Sequence, residues 1–327
     1  MSPLLDVRDL SVRFVTEDGP VQAVSDVSFQ LEEKQVLALV GESGCGKSVT
    51  AMSILGLLPT SAEPSGSVSF DGHNMLGMSS GHMKQIRGKE ISMVFQEPMT
   101  SLNPVFRVGR QVGEVLRRHE GMSRDAAAKR VVELFELVGI PAPARRVKEY
   151  PHQLSGGMRQ RVMIAMAVAC NPKILIADEP TTALDVTIQA GILDVMRDLR
   201  DQLGTAVLLI THDLGVVADI AERVVVMYAG RKVEEADAGE LFAHPQHPYT
   251  MGLLGAIPRV GSMRGESRLQ EIPGLVPSLS APPDHCVFAP RCPRADDRTR
   301  SELPALTEER PDHFVACFYP GERGEAK

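Results

Sequence analysis

The run VLALVGESGCGKSVTAMSILGLL, residues 36–58, decides how the rest of the chain is read. With the two residues before it, its start reads KQVLALV (34–40) and predicts a buried strand, and SVTAMSILGLL (48–58) predicts a helix. Between them GESGCGKS (41–48) fits G-x-x-x-x-G-K-[ST], in the strand-then-helix setting that such a loop needs. Glycines let the backbone wrap an anion closely, while loop N–H groups and the helix N-terminus supply positive potential. Lys47 adds a full charge at the β- and γ-phosphates of a nucleotide, and Ser48 offers its hydroxyl to Mg2+. The predicted nucleotide-binding stretch is therefore Gly41, Glu42, Ser43, Gly44, Cys45, Gly46, Lys47, Ser48 and Val49.

Such a loop requires an acidic group at the end of a neighbouring strand. ILIADEP (174–180) has four apolar residues followed by Asp178 and Glu179. Asp178 is placed to hold Mg2+ through water, and Glu179, one step on, to polarise the attacking water. With the glycine loop, these carboxylates indicate a phosphate-loop (P-loop) NTPase.

The composition narrows the setting. With 327 residues the chain has room for two domains, and 43% hydrophobic residues suffice for a core. Trp is absent, so aliphatic side chains and 15 Met fill the interior. A net charge of −7 argues against binding along a phosphate backbone, so no nucleic-acid partner is expected. Five scattered Cys do not make a disulfide scaffold and suit a reducing compartment. The N-terminus MSPLLDVRDLSVRF carries charges where a signal peptide needs an apolar stretch, and no window approaches the roughly 20 apolar residues of a spanning helix. A soluble, cytoplasmic chain is expected, acting at a membrane only through partners.

Around the loop the periodicities change in order. Residues 4–31 alternate about the turn EDGP (17–20), an antiparallel signal. From about 104 to 150 the spacing is helical: Val112, Val115 and Leu116 share one face, and Val131, Leu134, Phe135 and Val138 another, until Gly139 and Pro141. ILIA (174–177), AVLLIT (206–211) and RVVVMY (223–228) are short apolar strands separated by helices, which predicts a parallel, doubly wound sheet. After about 258 Pro, Arg and Asp dominate. The predicted fold is α/β: a P-loop NTPase (RecA-like) core, an N-terminal antiparallel β subdomain, a helical subdomain inserted at about 100–160, and a small irregular C-terminal module. The domain boundaries are placed at 1–258 and 259–327.

A second glycine turn, LSGGMRQR (154–161), asks for its own explanation. Ser155 can cap the following helix, and Gly156 and Gly157 leave backbone N–H groups bare beside its positive end, a setting suited to a γ-phosphate. Since the chain already has a phosphate loop, this turn would serve a nucleotide held by another chain. Two chains facing head to tail would then enclose two nucleotides.

The ordered set GESGCGKS, VFQEPMTSLNP with Gln96, LSGGMRQR, ILIADEP, TALD with Asp185 and THD with His212 resembles the ATP-binding cassette (ABC) family over about residues 4–235. The resemblance implies that Gln96 contacts Mg2+ and the attacking water and senses the transport partner. It makes Glu179 the catalytic carboxylate, puts His212 on the γ-phosphate, and sets Asp185 to work across a dimer interface. Leu154, Ser155, Gly156, Gly157 and Gln160 form the signature that meets the partner's ATP. Phe14 would stack on adenine with Val24 nearby, although core packing remains an alternative for Phe14. Mg2+ would be held through Ser48, Gln96 and Asp178.

HPQHPYTMGLLGAIP (244–258) and the tail beginning CVFAPRCP resemble the ATPases of dipeptide and oligopeptide importers and their nickel-importing relatives. In many of those the tail carries four Cys and is thought to bind an iron–sulfur cluster, here a [4Fe-4S] cluster. Cys286, Cys292 and Cys317 match, but Thr299 stands where another Cys is expected, with His285 and His313 nearby. A cluster and three reduced thiols both stay open. Cys45 and Cys170, the latter expected on the helix after the signature, are read as packing residues, as are Met163 and Met166.

The resemblance further implies two transmembrane permease subunits, a second ATPase subunit (a paralogue or an identical copy), an extracytoplasmic substrate-binding protein, and a peripheral position on the cytoplasmic face of the cell membrane. ATP would close two cassettes and move permease helices through a groove near residues 96–106. Import of nickel or another small solute, a non-transport cytosolic ABC ATPase, and a metal-sensing switch remain alternatives.

Overall fold

The computed structural model describes residues 3–96, 101–182, 184–256 and 272–321. Residues 97–100 of the VFQEPMTSLNP run, Ala183 of TALD, and 257–271, which include the expected domain boundary, lie outside the described residues. The chain divides into two compact units: Met1–Gln30, Val36–Leu76 and Thr211–Lys327 form the first, Leu31–Gln35 and Gly77–Ile210 the second.

In the first unit, β1 (Leu5–Thr16) and β2 (Gly19–Leu31) flank the expected turn, now at 17–18. β1 pairs antiparallel with β4 (Ala62–Phe70), Leu5 opposite Phe70 and Phe14 opposite Ala62. With β5 (His73–Asn74) the order is β2-β1-β4-β5. A second ladder starts at β3 (Val36–Val40), whose five residues are all buried, as expected of a strand covered on both faces. β3 runs parallel to β9 (Arg223–Tyr228), and α1 (Lys47–Ile54) follows it.

This ladder is mixed rather than purely parallel. Ala229 and Gly230 both have positive φ, 45° and 78°, the conformation that reverses a strand in two residues, so β10 (Arg231–Asp237) returns antiparallel on β9. Beyond it come β12 (His313–Val315), with Glu234 opposite Val315, and β11 (Thr307–Arg310). The C-terminal region thus contributes two strands to a module expected to be irregular. They escape sequence reading because β11 is exposed along its whole length and has no apolar alternation.

In the second unit β7 (Ile174–Asp178) lies between β6 (Ile91–Val94) and β8 (Ala206–Thr211), all parallel. The short helix α2 (Ser80–Ile86) precedes them. The helical insertion holds α3 (Val108–His119), α4 (Arg124–Leu137) and α5 (Pro143–Arg146). Ser123 caps α4 by accepting from the Ala126 N–H, and Val131, Leu134, Phe135 and Val138 are buried as their spacing requires. α6 (Gly156–Ala167) and α7 (Val186–Leu203) complete the unit. Cys170 falls in the turn beyond α6 rather than on it, because the helix ends at Ala167.

Candidate nucleotide site

The phosphate loop lies flat against its own sheet, and glycine is what permits this. A Cβ on Gly41 (φ +153°) would stand 2.2 Å from the Met227 carbonyl oxygen, and one on Gly46 (φ +90°) 2.4 Å from that of Ala23. Lys47 is only 5% exposed, and its Nζ donates to the carbonyls of Gly41 (2.7 Å) and Glu42 (2.9 Å), which holds the charge within the loop. Ser43 and Gly44 are exposed, Ser48 and Val49 half-buried. Cys45 is fully buried and burial pushes its thiol up, so it packs as a neutral side chain. In the same unit Val24 is buried, Phe14 half-buried, and His212 exposed just after β8, before α8 (Leu214–Ile220), which Asp213 caps.

Sequence reasoning missed the groups that fasten this loop. Glu42 takes a two-pronged contact from the Arg291 guanidinium and gives its N–H to the Tyr249 hydroxyl. A signal was present: a glutamate inside a loop built for an anion calls for a cation elsewhere in the chain.

In the second unit Asp178, 5% exposed, ends β7. Glu179 follows in the left-handed region, φ 46°, its N–H donating to the Ile210 carbonyl at 2.8 Å. Such a conformation costs a side-chain-bearing residue on the order of 1–3 kcal/mol and tends to be kept where function requires it. The Glu179 Oε2 accepts from Gln96 Nε2 (2.8 Å) and Thr182 Oγ1 (2.9 Å). The fold thus brings Gln96 and Glu179 together and adds Thr182, which no motif singles out.

Ser155 is exposed and caps α6, its Oγ accepting from the Met158 N–H at 3.3 Å. Gly156 is half-buried; Gly157 is buried because a Cβ there would meet Ile188 Cγ2 at 2.4 Å. Asp185 caps α7 by accepting from the Ile188 N–H at 2.9 Å, so the starts of α6 and α7 pack closely. Leu154 (4% exposed) and Gln160 (2%) face the interior, unlike Ser155. The oxygens of Ser48, Asp178 and the Gln96 amide are hard donors of the kind Mg2+ takes.

The tail cysteines do not match a four-thiolate site. Thr299, 4% exposed, is committed to Asp296, its Oγ1 accepting from the Asp296 N–H and donating to the Asp296 carbonyl, both at 2.8 Å. Burial raises Cys286, Cys292 and Cys317, the last to about 11. His285 is bound to Asp284 and His313 to Glu234. Among the described residues no three His, Cys, Asp or Glu side chains are placed to share a metal ion. These residues do not fit a [4Fe-4S] cluster.

A phosphate loop between β3 and α1 beside an antiparallel sheet in the first unit, and a strand-end carboxylate pair in the second, are the parts of a nucleotide-hydrolysing cassette. The chain belongs to the ABC transporter ATPases: residues 24–182 match the family described as ABC transporter, and residues 233–298 the oligopeptide/dipeptide transporter C-terminal region. It is 52% identical to the oligopeptide transport ATP-binding protein OppD of Bacillus subtilis, over 96% of this chain and 88% of the relative. It is 50% identical to the dipeptide transport ATP-binding protein DppD of the same organism, over 99% and 97%. Among solved structures it resembles the dimeric, post-hydrolysis ATP-binding cassette MJ0796 bound to ADP and Pi, with a TM-score of 0.65 and 28% identity over 72% of this chain and 98% of that one.

Proposed function

We propose that this ATPase powers a membrane importer of oligopeptides or dipeptides, with residues 1–258 as the cassette and 259–327 as the peptide-importer module. The relatives named for oligopeptide and dipeptide transport support that substrate class over nickel, and over a non-transport or metal-sensing role. In this reading Gly41–Ser48 hold the phosphates of Mg2+-ATP, Ser48, Gln96 and Asp178 serve the metal, and Phe14 serves the adenine. Glu179 activates the attacking water, with His212 at the γ-phosphate. Ser155–Gly157 and Asp185 act on the nucleotide of a second ATPase subunit. No iron–sulfur step is assigned.

The observation that carries the catalytic part is the Gln96–Glu179 hydrogen bond, which joins a side chain implied to sense the permease to the proposed base. Support for a docked permease comes from a groove of about 770 Å³ in the helical insertion, lined by Val105, Phe106, Arg110, Arg117, Arg124 and Tyr150. Among the described residues no helix is long and apolar enough to cross a membrane, so attachment to the cytoplasmic face would run through two permease subunits, with an extracytoplasmic binding protein beyond them. The test is gentle co-purification of the tagged chain from native membranes with mass spectrometry of its companions. Two multi-span proteins and a second cassette subunit are expected. Recovery of the chain with ribosomal proteins, or with no companion, would break the importer reading and leave the ATPase intact.

A further inference from the structure

Glu42, the second residue of the phosphate loop, brings a negative charge to a place that the proposed function fills with a polyphosphate. Uncompensated, it would oppose the ligand. The Arg291 guanidinium forks onto it, Nη1 to Oε2 at 2.5 Å and Nη2 to Oε1 at 3.0 Å, across 249 positions of sequence. The Tyr249 hydroxyl accepts the Glu42 N–H at 2.8 Å, and the Glu42 carbonyl accepts from Lys47. The side chain, N–H and C=O of one loop residue are therefore all engaged.

Arg291 is itself fixed. Its side chain is 3% exposed, Nε donates to the Pro273 carbonyl (2.9 Å) and Nη2 to that of Ile272 (2.8 Å). Its guanidinium carbon sits 5.7 Å from the centre of the Tyr228 ring. Tyr228, Tyr249 and Phe288 pack on one another with ring centres 4.7–5.5 Å apart. A planar fork matched to a carboxylate is a contact that lysine does not reproduce.

We propose that Arg291 is a positioning residue for ATP binding: it neutralises Glu42 and, with Tyr249, fixes the first turn of the phosphate loop, so that nucleotide affinity is set from the C-terminal module. This rests on reading residues 41–48 as the ATP site. A residue that only fastened the module to the cassette would share the same contacts, but its loss could not be repaired by removing the charge on Glu42.

Binding of a fluorescent ATP analogue with Mg2+ to the full-length chain, by equilibrium titration, makes that distinction. Arg291→Met should bind about tenfold more weakly, since a carboxylate close to the phosphates is left unpaired. Arg291→Lys keeps charge and loses the fork, and should fall between Arg291→Met and the parent. Glu42→Gln combined with Arg291→Met should return to within about threefold of the parent, there being no charge left to repel. Parent-like affinity in Arg291→Met, or a deficit in it that the double variant fails to recover, overturns the proposal. If Arg291→Met does not fold, Arg291→Lys and the double variant decide: parent-like affinity in Arg291→Lys, or a double variant binding more than about threefold more weakly than the parent, is equally fatal. The Lys47→Ala variant separates the two levels, because unchanged binding there removes the site reading itself.

Discussion

Glu42 and Glu179 are both part-buried glutamates beside motifs that define the family, yet they are held in opposite ways. Glu42 is locked by a buried guanidinium and its backbone is engaged on both sides. Glu179 sits at a strained backbone position and takes its side-chain hydrogen bonds from an amide and a hydroxyl, both on exposed residues. In the proposed reading, the charge that sits beside the phosphates is paired with a full opposite charge. The carboxylate proposed as base is held by neutral donors.

The widest gap between the two should appear on removing the proposed base. Glu179→Gln is expected to lower ATP turnover about 10²–10⁴-fold while Mg2+-ATP binding stays close to the parent's, read by phosphate release and nucleotide titration. Turnover at the parent rate would sink the role given to Glu179.

Next comes the backbone beneath each motif. Gly41→Ala drives a Cβ into a carbonyl oxygen that belongs to a strand and cannot retreat, whereas Gly157→Ala meets the branch methyl of the Ile188 side chain rather than backbone. Urea unfolding should show a loss of about 3 kcal/mol or more for the first and about 1–2 for the second. Equal losses would mean that the two glycine turns are constrained alike.

Acid should then act through the region behind the loop. Burial holds His247 down at about 4 against its ordinary 6.5, so the unfolded chain takes up this proton first and stability falls as pH drops from about 6.5 towards 4. That gap corresponds to about 3 kcal/mol at most. His313 has the opposite sign. Burial lowers it, but the Glu234 hydrogen bond and charge, helped by Glu240, outweigh burial and raise it, so its contribution is present below 6.5 and fades as pH rises through its folded value. His247→Asn, which can keep the cap on the Tyr249 N–H, should flatten the acid limb of the stability curve measured by urea melts. An acid limb as steep as the parent's would assign the loss to other groups.

The smallest effect is expected at Thr182→Val, which removes the Thr182 hydroxyl's hydrogen bond to the Glu179 carboxylate. Turnover should drop about fivefold, with the ATP KM held within twofold. A larger change in KM than in kcat would place Thr182 in binding rather than in orientation.

The core of this molecule was legible because its signals are local. The β3–GESGCGKS–α1 unit, the Ser155 cap and the apolar strands β7, β8 and β9 each declare themselves within a dozen residues. The interior position of Gln160 was not legible, since it depends on how α6 is turned against its neighbours. Nor was the antiparallel return of β10, which hangs on Ala229 taking a positive φ that alanine seldom adopts. The Arg291–Glu42 pair was invisible for a different reason: no periodicity links residues 249 positions apart. In sequence Thr299 shows only as a missing thiol, and its hydrogen bonds to Asp296 reveal the turn it holds instead.

That long separation also bears on how the chain is made. During synthesis Glu42 is polymerised roughly 12–50 s before Arg291, at about 5–20 residues per second. Throughout that interval the loop carries Glu42 without its counter-charge. On the proposal above, the cassette reaches its full affinity for ATP only after Arg291 has been made and paired, and a nascent chain short of that residue is a weak competitor for the nucleotide.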